Sequence, residues 1–549
     1  MSSQAAAATH RSSVPHRPRP LTGTGTLIRF ILRRDRVRIP VWMGAITIAM
    51  LGTVLSYADT FATQEDRDQR AELAASPVFQ AFNGPGYGLD HYTFGALVAY
   101  EGLYLAVILV SLMSIFLTVR HTRAEEEAGR AELVRAAVVG RHASTAAVLI
   151  VVAAVNIVVG LLTAAGLSTM DDLDGTGSLT FGASMIAASL VFTAVALVAA
   201  QLTEYARGAV GMSVATLGAT YVLRAAGDVS ETDLSWLSPF AWSLETRTFV
   251  DERWWPLLLS LALAVGLTVG AMALSTRRDV GAGLVPPRPG KPNASDRLIR
   301  PYGLALRLQA GSLVAWATGL LLLGASFGSL LGDIEAFAAE NEQAREIIAT
   351  AEGGTVLESF LGTLTLMLAL IATACAIQSI VRLRHEEVAG RAEPLLATSL
   401  PRTRWVGGYL GVSLIGSAFV MLAGSAGLGV TGAINQADVS LLFTQLAAGL
   451  VYVPAIWVAV GIALVLYGWA PRAVPAVWLV LAYGVVVFLL ADAMGLPEGA
   501  RNLSPFHHMP ELPGADFTAT PVLASLALVA ASVAVGIARF RSRDVHTSA

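Results

Sequence analysis

Long apolar stretches recur along the chain, each bounded by charged or Gly- and Pro-containing segments. A helix needs roughly 20 apolar residues to cross about 30 Å of hydrocarbon. Twelve stretches approach or exceed that length. Six lie near 41–57, 97–119, 144–166, 180–201, 208–226 and 256–275. Six more lie near 311–331, 359–381, 405–430, 441–468, 473–491 and 521–538. Transmembrane strands would be about 10 residues long with alternating polarity, so the pattern predicts helices. The span interiors lack ionisable residues; Glu101, Arg224, Glu358 and Asp492 sit near span ends. A charge deep in lipid is costly and usually marks an ion path, and the pattern offers none.

Composition agrees. Of 549 residues, 54% are hydrophobic and 14% charged, against about 25% charged in ordinary globular chains. The mean hydropathy is +0.61. A net charge of −3 gives no reason to expect nucleic acid as a partner. The one cysteine, Cys375, excludes an internal disulfide and argues against a thiolate zinc site. Residues 1–22 read as a disordered basic tail. The first apolar run begins near Val41, too far along for a cleaved signal, and is expected to remain as an anchor.

Arginines set the expected orientation. With the N-terminus in the cytoplasm, most basic residues fall on the inner side, and both termini are cytoplasmic. The expected location is a bacterial plasma membrane.

The chain repeats itself. Glu125-Glu126-Glu127-Ala128-Gly129-Arg130-Ala131-Glu132 follows the second span; Glu386-Glu387-Val388-Ala389-Gly390-Arg391-Ala392-Glu393 follows the eighth. Seven of these eight positions are identical. Arg123 matches Arg384, and Arg141 matches Arg402. Leu237-Ser238-Pro239-Phe240 recurs as Leu503-Ser504-Pro505-Phe506, before the last span of each half. Arg278-Asp279-Val280 recurs as Arg543-Asp544-Val545 after those spans, and Arg33 and Trp42 match Arg307 and Trp316. Six spans is an even number, so the halves are parallel repeats. The expected organisation is a six-span half over 23–278, a cytoplasmic Pro-rich linker over 279–303 and a second half over 304–549.

Apolar and basic residues alternate at helical spacing in Leu27–Arg36 and Leu304–Leu308, which predicts amphipathic lead-in helices on the inner leaflet. The repeated acidic–basic segment predicts surface pairs such as Glu126 with Arg130. Charged helix-prone segments at two symmetric cytoplasmic points suit docking to a two-fold symmetric partner. Charge reversal at Glu126 and Glu387 would test that. Asn156, Gln201, Gln378 and Gln445 read as hydrogen-bonding groups between helices.

These features resemble ABC exporter permeases of the second type, in particular the fused twelve-span actinobacterial subgroup associated with polyketide-antibiotic and multidrug efflux. The resemblance is carried by the E-E-x-x-G-R-x-E segments, the L-S-P-F loops and Arg253-Trp254-Trp255-Pro256, and covers nearly the whole chain. It implies an all-α polytopic membrane protein whose segments around 123–141 and 384–402 are coupling helices. Glu125, Glu126, Gly129, Arg130, Glu132 and Arg141 would couple one half to an ATPase. Glu386, Glu387, Gly390, Arg391, Glu393 and Arg402 would couple the other. It further implies two copies of a separate cytoplasmic ATPase that hold ATP and magnesium, and an amphipathic or lipophilic substrate moved outward. The chain has no phosphate-binding G-x-x-x-x-G-K-[ST] of its own: its only lysine, Lys291, precedes Pro292.

Two other classes are weighed. A proton-coupled major-facilitator transporter shares the six-plus-six plan, but its loop pattern matches here only at Gly129-Arg130 and Gly390-Arg391, and intramembrane carboxylates are lacking. A membrane glycan or lipid transferase would need an outer catalytic cluster, for which His507, His508 and Glu511 are the best candidates; an exposed loop is the simpler reading.

Overall fold

The computed structural model describes residues 20–75, 77–135, 139–279, 281–286, 300–329, 331–332, 355–491 and 496–544, with 293, 295 and 298. Most of the predicted tail, part of the linker, most of the loop over 332–357, and Asp492 lie outside the described residues. The regular elements among the described residues are all helical. Twelve helices are long and apolar enough to span a membrane. In the first half they are Arg38–Thr60, Phe94–Glu127, Ala143–Leu167, Gly175–Leu202, Ala206–Val229 and Pro256–Ser275. In the second they are Pro301–Ser329, Leu357–Val388, Arg402–Asn435, Ser440–Trp469, Pro471–Phe488 and Ala519–Ser542. The chain forms two compact units, Met1–Pro289 and Gly290–Ala549.

Each unit sorts its spans alike. The second, third and fourth spans of each half have at least half of their apolar window buried, and the others less than a quarter. A lipid-facing helix needs only an apolar surface, whereas the inner three must fit side chain against side chain. Lipid supplies no hydrophobic drive for that fit, so small residues let backbones approach. A Cβ at Gly324 would lie 2.1 Å from the Gly424 carbonyl oxygen, where the seventh and ninth spans cross.

Polar groups in the spans bind across helices. Ser114 donates to Asn156 (2.9 Å), Thr365 to Gln445 (3.0 Å), and Ser312 and Trp316 both to Gln378 (2.9 Å).

The two lead-in segments differ. In the first half Thr24–Arg34 is a separate helix. It ends at buried Asp35, which accepts from Arg120 at 3.2 Å and pairs with His121 at 2.7 Å. In the second half residues 301–310 are the first turns of one unbroken helix, Pro301–Ser329. The Arg33–Arg307 register puts Gln309 where Asp35 stands. Glutamine is a good helix former, and its oxygen accepts from Ser379 within the bundle (2.6 Å).

On the face opposite the arginine-rich one, helices Gln64–Ala74 and Pro77–Asn83 follow the first span. Arg224 of the fifth span, fully buried, donates to the carbonyls of Gln80, Ala81 and Phe82 at 2.8–2.9 Å. A guanidinium there satisfies the unpaired carbonyls at the end of the short helix and meets its negative pole. Glu101 of the second span accepts from Arg70 (2.7 Å) and Asn83 (3.1 Å). The charges at these span ends therefore hold a helical cap in place at this end of the first half.

Candidate functional site

The repeated acidic–basic segments adopt the same local geometry in both halves. The helix carrying Glu125 and Glu126 stops at Ala128, and Gly129 follows with φ +71°. Its counterpart stops at Ala389, and Gly390 has φ +70°. Only glycine adopts this left-handed conformation freely. The turn sends the next arginine back over the helix end. Arg130 Nε and Nη2 donate to the two Glu125 oxygens at 2.8 and 3.0 Å. Arg391 does the same to Glu386 at 2.6 and 3.2 Å. The sequence-based pairing of Glu126 with Arg130 is thus replaced by Glu125 with Arg130. An i,i+4 pair needs continuous helix, and here a turn intervenes.

Glu126 and Glu387 turn inward instead. Glu126 receives Arg278 Nη1 and Nη2 at 2.8 and 2.7 Å. Glu387 receives Arg543 Nη2 at 2.9 and 2.8 Å. These arginines belong to the repeated R-D-V after the last span of each half. Arg278 also donates to Gln201 at the end of the fourth span (2.7 Å). Arg543 lies over the ring of Tyr467, 4.9 Å from its centre, near the end of the tenth span. One arginine per half therefore ties the ends of three spans together. The repeated R-D-V was visible in the sequence, but nothing in the string showed which carboxylate it meets.

The single unmatched position of the motif has a structural reason. Glu127 accepts from the backbone N–H of Ala206, the first residue of the fifth span (2.9 Å). A carboxylate there caps a helix start. Its counterpart, Val388, is exposed. The Arg207–Arg472 register aligns Ala206 with Pro471, which has no N–H to satisfy.

The remaining predicted residues scatter around the two brackets. Glu132 and Glu393 are exposed, each in a short helix after the turn, Arg130–Arg135 and Ala392–Leu396. Arg141 is exposed and contacts His142 (3.0 Å). Arg402 instead donates to the Arg543 carbonyl at 2.5 Å, adding to the clamp at the end of the last span. Arg34 of the lead-in helix also bonds Glu125 (2.5 Å). Arg123, buried, reaches Glu126 and the carbonyls of Glu204 and Gly281.

Burial, which raises the Asp35 pKa, is outweighed by hydrogen bonds from Arg120 and His121, so its carboxyl stays below the ordinary value. The exposed Arg130 guanidinium is raised by its bonds to Glu125. Beside the first bracket lies a crevice of about 90 Å³, lined by Phe30, Arg34, Glu125, Arg130 and Arg141 among others. That is too small for a drug-sized molecule. Among the described residues no three His, Cys, Asp or Glu side chains converge on a metal position. His508 Nε2 donates to the Asn502 carbonyl (2.8 Å) in a local loop contact.

Twelve apolar helices in two like units, with a matching charged bracket at one end of each, have the build of a membrane permease. A family model described as multidrug efflux system permease Rv1217c, C-terminal domain, matches residues 26–274 and 298–541. The chain belongs to this family of ABC-type multidrug efflux permeases. It is 40% identical over 544 residues to the multidrug efflux system permease protein Rv1217c of Mycobacterium tuberculosis (strain ATCC 25618 / H37Rv). That similarity covers 98% of this chain and 97% of the relative.

Proposed function

We propose that this chain is the membrane subunit of an ATP-driven exporter that moves lipophilic or amphipathic compounds, drugs among them, out of a bacterial cell. Two copies of a cytoplasmic ATPase dock on the two brackets and carry the ATP and magnesium. Both termini face the cytoplasm in this arrangement. The observation that carries the reading is the replicated bracket. Exposed Arg130 and Arg391, with Glu132 and Glu393 beside them, offer a charged docking surface. Inward Glu126 and Glu387 link that surface to the last span of the same half through Arg278 and Arg543. A push on the bracket is thereby delivered to three span ends at once.

The test is purification of the full chain from its native membrane in mild detergent, with co-purifying proteins identified by mass spectrometry. An ATPase bearing phosphate-binding loops, at about two copies per chain, is the expected result. Arg130→Glu with Arg391→Glu should release it while leaving the spans folded. Retention at unchanged stoichiometry would place the docking surface elsewhere.

A further inference from the structure

The second half holds a cavity of about 850 Å³ on the face opposite its bracket. Ile462 of the tenth span, Leu479 of the eleventh and Leu528 of the twelfth line it with apolar surface. Asn502, His508 and Thr520 supply polar groups. The first half serves as an internal control for how this cavity arises. Asn502 directly precedes the second L-S-P-F, and Trp236 directly precedes the first. His508 lies two residues after the second motif, and Trp242 two after the first. Thr520 precedes Pro521, and Trp255 precedes Pro256, at the start of each last span. In the first half the rings of Trp236 and Trp255 stack at 5.5 Å with planes 13° apart. Trp242 Nε1 donates to the Trp236 carbonyl at 2.8 Å. Indoles thus join the loop to the last span there.

Within the repeated motif the serine and the phenylalanine keep their burial: Ser238 and Ser504, and Phe240 and Phe506, are all buried. At the three positions where the first half carries indoles, the second half carries smaller polar side chains that line the cavity. Volume and lining match a small-molecule site, mostly apolar with a few polar groups.

We propose that this cavity binds one uncharged, lipophilic small molecule carrying hydrogen-bonding groups, within the second half alone. The described lining has no Lys or Arg to hold a lipid phosphate, and no Asp or Glu to hold a cation. The Asn502 amide and the Thr520 hydroxyl offer both donors and acceptors. This site stands independently of ATPase docking, because binding can be measured on the chain without any partner.

The experiment uses the full chain in lipid nanodiscs and the uncharged dye Nile red, read against empty nanodiscs of the same lipid. Saturable binding at about one dye per chain is expected. Asn502→Trp with Thr520→Trp, which places indoles at two lining positions that carry them in the first half, should weaken it by about tenfold or more. If that variant does not fold, Ala524→Phe narrows the same cavity from the last span. An independent readout places a thiol at Ala524→Cys in a Cys375→Ser background; Nile red should slow its alkylation. Absence of saturable binding, unchanged binding in the folded double-tryptophan variant, or a stoichiometric phospholipid that the dye displaces would each overturn the proposal.

Discussion

Two carboxylates that are neighbours in sequence have opposite fates. Glu125 and Glu386 face a surface arginine across a turn; Glu126 and Glu387 are drawn inward to Arg278 and Arg543. Removing one member of a buried pair strands its partner, typically at a cost of about 3–5 kcal/mol. Arg278→Ala and Arg543→Ala should therefore lower the thermal unfolding midpoint markedly, while Arg130→Ala, which loses an exposed partner, should hardly change it. Fluorescence-detected size exclusion after heating makes the comparison. Asp35 gives a pH test. Its pKa is lower in the folded state, so its contribution is complete above the ordinary value of about 3.9 and is lost as pH falls through the folded value. Asp35→Asn should flatten that acid-side loss of stability in a melting series from pH 6 downward.

At the level of elements, glycine does two separate jobs. Gly129 and Gly390 provide a left-handed residue with open space around the missing Cβ. Alanine there should cost only backbone strain, about 1–2 kcal/mol per site. Gly324 allows the seventh and ninth spans to touch, and a Cβ there meets the Gly424 backbone. Gly324→Ala should destabilise the second half by more than Gly129→Ala does the first, because backbone cannot rotate away. Melting of the two variants in one detergent decides the order. Periodicity and length made all twelve spans legible, with ends shifted by up to ten residues, since hydropathy does not register helix that continues past the lipid boundary. The eighth span was read to 381 and its helix runs to Val388, carrying the bracket with it. The break at Asp35 was not readable, because it depends on Arg120 and His121, some 85 residues further on.

For the molecule as a whole, the duplication makes a quantitative expectation possible. If each half docks one ATPase, Arg130→Glu alone should leave about one copy bound per chain and the double variant none; native mass spectrometry of the detergent complex counts them. An all-or-none loss would mean that the two sites bind as a unit. Fold class, span number and the two-fold repeat were readable from the chain because they depend on composition, length and local pattern, which lipid acts on residue by residue. The candidate coupling segments were readable for the same reason, through a motif that occurs twice. Which glutamate turns inward, how the R-D-V arginines close on it, and how the tryptophans of the first half stack depend on contacts between residues 19 to more than 150 positions apart. Those contacts exist only once the spans have packed and their ends have been brought together.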